Sequence, residues 1–63
     1  MKRDVVIDNE GHTIPVEVNE LAGQHIITVD NVEWVKTANQ THAAVLFNMI
    51  ADHLTEYMQY KIK

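Results

Sequence analysis

The 63-residue chain contains no cysteine and no serine, and it has only one proline and two glycines. Without thiols it can form neither disulfides nor thiolate zinc sites, and the two commonest nucleophiles of covalent catalysis are missing. No Thr, His and acid grouping has recognisable nucleophile spacing, so a noncatalytic protein is expected. Long apolar runs are also absent. The longest stretch free of charged side chains, Thr37 to Ala51, includes Asn39, Gln40, Thr41, His42 and Asn48 and is too short and polar to span a bilayer. Behind Lys2 and Arg3 the first apolar stretch is only Val5 to Ile7, too short for the core of a signal peptide. A cytoplasmic protein without a membrane partner is therefore expected.

Basic residues are scarce where acids gather. Residues 4 to 35 hold Asp4, Asp8, Glu10, Glu17, Glu20, Asp30 and Glu33 and no lysine or arginine, while Lys2, Arg3, Lys36, Lys61 and Lys63 lie outside that block. A basic footprint for phosphate is lacking, which disfavours direct nucleic-acid binding. Hydrophobic residues make up 46% of the chain. That suffices for one small domain over 1–63, but a core of this size buries only roughly 60% of the unfolded surface. A partner subunit is one of the few remaining sources of stability, because disulfides are excluded.

Periodicity divides the chain into an acidic sheet region, about 4–36, and an amphipathic helix, about 38–60. Val5 to Ile7 makes a first strand, Asp8 to His12 offers a turn containing Gly11, and Ile14, Val16 and Val18 alternate along the next strand. Pro15, which has no N–H, suits either an edge strand or a position whose N–H would point away from a neighbour. Glu20 to Gln24 forms a second turn, and His25 to Val29 and Val32 to Lys36 flank Asp30-Asn31. A two-residue loop there pairs Val29 with Val32 and Ile27 with Trp34, which predicts a buried tryptophan that anchors the helix. Since Asp30-Asn31 lacks the favoured glycine, Val32 to Lys36 is either a fourth strand or an extended connection. Thr37-Ala38-Asn39-Gln40 matches a capping box opening a helix from Ala38 to Tyr60. The fold class is thus α+β: an antiparallel meander of three or four strands followed by one long C-terminal helix packed on one sheet face.

The helix carries more apolar surface than a single sheet needs. Ala43, Phe47, Ile50, Leu54, Tyr57 and Met58 form a stripe for the sheet, and Leu46, Met49, His53 and Tyr60 widen it to roughly 220°, where one buried face needs little more than about 100°. At about 33 Å the helix is also expected to overhang strands of roughly 17–20 Å. Leu46, Met49, His53, Tyr57 and Tyr60 are therefore the candidate interface of a two-fold homodimer. Strand alternation sets Asp4, Val6, Asp8, Glu17, Ile26, Glu33 and Val35 on the opposite sheet face, beside Pro15 and Thr28. Acids interspersed with apolar residues suit a basic protein, including one whose nucleic-acid site such a face would occupy.

No metal or cofactor is expected. His42 and His53 stand roughly 16 Å apart along the helix, and the His53, Glu56 pair is the kind that solvated helices carry routinely. The leading functional expectation is a small interaction protein, homodimeric through its helix, that regulates or inhibits a macromolecular partner. Phage-encoded accessory proteins share this composition. Two alternatives remain: a small-ligand or metal-binding module with a pocket at a helix–helix dimer interface lined by His53, Tyr57 and Tyr60, and a structural subunit of a larger assembly.

Overall fold

The computed structural model describes residues 1–62, and the expected α+β arrangement is present. Strands β1 (Lys2–Val6), β2 (Thr13–Leu21), β3 (Gln24–Val29) and β4 (Val32–Thr37) precede one helix, α1 (Gln40–Lys61). The strands form an antiparallel meander in the order β1-β2-β3-β4. Val32 to Thr37 is thus a strand, not a connection. The reason lies in the loop before it, where Asp30 and Asn31 both adopt left-handed backbone, φ 52° and 66°. That geometry matches the right-handed twist of a hairpin, and Asp and Asn are the non-glycine residues that best tolerate it. Ala22 and Gly23 make an equivalent turn at φ 53° and 77°. This tight turn lets β2 run on to Leu21, so Glu20 and Leu21 are strand residues and not loop.

Val5, Val16, Ile27 and Val29 point from the sheet to meet Ala43, Phe47 and Ala51 of α1, and these seven residues are the buried core. Ala51, one helical turn after Phe47, is fully buried in the same cluster, and in an interior of this packing density a larger side chain there would have to displace its neighbours. The helix touches all four strands. Its N-cap is Asn39, whose Oδ1 accepts from the His42 N–H at 3.0 Å. The capping box expected on Thr37 does not form, because Thr37 ends β4; its Oγ1 accepts from the Asn39 N–H at 3.1 Å. Both residues favour caps, and the one still free of the sheet takes the role.

The expected overhang is also corrected. With nine residues β2 is about 30 Å long, close to the about 33 Å of the 22-residue helix. The helix C-terminus ends beside the β1–β2 loop, where Lys61 and Ile62 adjoin Ile7, Asp8 and Asn9. The surplus of apolar helix is lateral, not longitudinal.

A bulge in β4 changes which residues face α1. Thr28 pairs with Glu33 but Ile27 pairs with Val35, so two residues of β4 span one step of β3 and Trp34 is the extra one. The expected Ile27–Trp34 pair is therefore wrong, whereas Val29 pairs with Val32 as the short loop requires. Trp34 is 53% exposed, not buried. Val35 moves with the shift: opposite the buried Ile27, it packs against the core and does not belong to the outer face.

Candidate interaction surface

Around α1, polar and apolar flanks fall on opposite sides of the sheet. Over β1 the helix presents Asp52, Thr55 and Gln59; Asp52 accepts from Arg3 Nη1 at 2.8 Å, and Thr55 and Gln59 line a hollow with Arg3, Asp4, Val6 and Ile62. Over β4 the flank is apolar. Trp34, Met49, Ile50, His53, Leu54 and Tyr57 line an open groove of about 540 Å³. A smaller hollow continues it toward the helix N-terminus between Thr37, His42, Val45 and Leu46. No Asp, Glu, Lys or Arg lines either hollow on this side, and His53 and His42 are their only ionisable nitrogen bases.

Of the five expected interface residues, four are exposed and one turns inward. Met49 is 60% exposed, Tyr57 47% and Tyr60 74%, and His53 is exposed as well. Tyr57 therefore leaves the buried stripe to which its spacing assigned it. Leu46 is half-buried against the core. Met49, His53 and Tyr57 come together in the groove, while Tyr60 lies one turn further along the same flank. The Lys61 ammonium stands 5.7 Å from the Tyr57 ring centroid, within cation–π range. Trp34 forms the strand side of the groove. The alternation Val32, Glu33, Trp34 carries no mark of a bulge, and without one the indole pairs with Ile27.

The outer sheet face is less acidic than the linear charge pattern implied. Lys2 opposes Glu17, Glu17 opposes Thr28, and Thr28 opposes Glu33, so these four form one row across the sheet. A second row joins Asn19, Ile26 and Lys36, and Asp4 opposes Pro15. Asp4, Glu17 and Glu33 thus share their face with Lys2 and Lys36. Asp4, Val6 and Glu33 are exposed, and Glu17 and Ile26 are half-buried. Strand pairing brings in the two lysines that sequence position had set apart from the acids.

Asp8 is not on that face. β1 ends at Val6, and Asp8 folds the following loop: Oδ1 accepts from the Glu10 N–H at 2.9 Å and the His12 N–H at 3.1 Å, and Oδ2 lies 2.6 Å from His12 Nδ1. The His12 hydrogen bond holds the Asp8 carboxyl below its ordinary value; desolvation opposes this, and the backbone donors and His12 charge reinforce it. Glu10 Oε2 stands 4.0 Å from the same His12 nitrogen. This cluster builds a loop. Among the described residues, no three His, Asp or Glu side chains are grouped so as to hold a metal ion, and no helix is long and apolar enough to cross a membrane. Among known proteins, no family model, curated protein or solved structure matches the chain.

Proposed function

We propose that this chain is a small noncatalytic interaction module that pairs with itself through the β4-side flank of α1 and regulates or inhibits a macromolecular partner. The observation that supports it is the one-sided exposure of Trp34, Met49, Tyr57 and Tyr60 around a predominantly apolar groove. A monomer gains nothing from leaving such a surface in water, and a contiguous apolar patch of this kind is typical of a contact site. Taking roughly 150–250 Å² for a whole aromatic side chain, the exposed fractions of Trp34, Tyr57 and Tyr60 leave on the order of 350 Å² open. Exposed Val32, Val45 and Met49 bring the flank toward the roughly 800 Å² that each partner of a standard interface buries. Two-fold pairing sets this surface against its own copy.

The sheet face opposite α1 remains open in such a dimer, and Asp4, Val6, Glu17 and Ile26 are the residues we assign to the second partner. With Lys2 and Lys36 on the same face, that partner is recognised by mixed charge and apolar contact more than by net negative charge. A second reading has one observation in its favour: a groove of about 540 Å³ lies within the roughly 300–1,000 Å³ range of small-molecule sites.

Sedimentation of the parent beside Met49→Glu tests the first reading. The parent is expected to sediment as a dimer and the variant as a folded monomer, because burying a carboxylate in the flank is strongly unfavourable. Monomer masses for both proteins at every concentration would overturn it.

A further inference from the structure

The bulge at Trp34 makes β4 self-complementary about its own midpoint. In a regular strand, residues three apart point to opposite faces. Here Glu33 and Lys36 both lie on the outer face, since their partners Thr28 and Ile26 flank the buried Ile27. Trp34 and Val35 both face the α1 side, the first lining the groove and the second packing on the core. Val32 and Thr37, opposite Val29 and His25, share that side. Read from either end, the strand therefore presents the same order of faces, with a negative residue at one outer position and a positive residue at the other.

From this we infer that the second copy docks along the β4 edge in antiparallel register, Glu33 of each chain opposite Lys36 of the other and Trp34 opposite Val35. The inference rests on the self-association proposed above and specifies its geometry. Three observations converge on it. Among the described residues no strand lies beyond β4, so the backbone groups on its far side have no strand partner. Charged residues on an exposed edge ordinarily repel a like edge, but opposite signs at symmetric positions attract it. Finally, the apolar flank of α1 lies over this same edge. A two-fold axis perpendicular to the sheet keeps both helices on one face of a continuous eight-stranded sheet. Their Trp34, Met49 and Tyr57 flanks then close over the junction, so strand pairing and helix burial are satisfied by one operation.

Charge exchange tests the register. Glu33→Lys gives a strand with two lysines, and Lys36→Glu gives one with two glutamates. Each variant alone is expected to dimerise roughly tenfold or more weakly than the parent, since both cross-strand pairs become repulsive. An equimolar mixture of the two, which sets lysines against glutamates, is expected to recover association, and Glu33→Lys combined with Lys36→Glu recovers it in one chain. Recovery also shows that the single variants fold. If each single variant dimerises like the parent while Met49→Glu is monomeric, the strand register is overturned and the helix-flank association stands. If neither the charge variants nor Met49→Glu changes a monomeric parent, both are overturned. Weak single variants that the mixture fails to rescue overturn the register as well.

Discussion

Phe47 is the side chain on which the helix–sheet contact depends, and its truncation gives a prediction with a defined size. It is 3% exposed and packs within the cluster of Val5, Val16, Ile27, Val29 and Ala51. Replacing a buried phenylalanine by alanine costs about 3–5 kcal/mol through lost transfer energy and the cavity left behind. At the usual stability per residue, 63 residues amount to roughly 3–9 kcal/mol in all. Phe47→Ala should therefore remove about a third of the stability or more and lower the urea midpoint accordingly. Phe47→Leu keeps most of the volume and should cost no more than about 1.5 kcal/mol. Urea denaturation followed by circular dichroism at one fixed protein concentration measures both, and the concentration must be held because association adds stability. A loss below about 1 kcal/mol for Phe47→Ala would show that Phe47 does not anchor α1 on the sheet.

Two further predictions concern the loops. Ala22 pays the steric penalty of left-handed backbone without any side chain to offset it. Ala22→Asn should therefore raise the urea midpoint by an amount equivalent to about 0.5–1 kcal/mol, and an unchanged or lowered midpoint would refute the strain argument. The Asp8 carboxyl is held below its ordinary value, so its contribution to loop order is present above the unfolded value and is lost as pH falls through the depressed folded one. The Asp8 side-chain carboxyl carbon resonance should therefore titrate with a midpoint more acidic than the ordinary aspartate range. Asp8→Asn should abolish that acid transition.

Much of this architecture is legible in the residues themselves. Alternating β-branched positions and the uninterrupted helix-forming run define the strands and α1, and helical spacing alone places Met49, His53, Tyr57 and Tyr60 on one side. Boundaries were ambiguous wherever two residues could serve one role, as with Thr37 and Asn39 at the cap. The bulge left no trace because it needs no glycine or proline, yet it decides three things: the exposure of Trp34, the inward turn of Val35 and the placing of Lys36 beside the acids. Lateral pairing hid the rest. Nothing in linear order reveals that Lys2 lies opposite Glu17, or that β2 extends far enough to match the length of the helix.

The chain has a single tryptophan, and it lies in the groove where self-association is proposed. Its fluorescence emission across a dilution series tests most directly whether that flank is sheltered by a second copy. Blue-shifted emission at high concentration that moves to the red on dilution, in step with a fall from dimer to monomer mass, is the predicted result. Emission that stays at one solvent-exposed wavelength over the whole series, from the most concentrated sample to the most dilute, would contradict it.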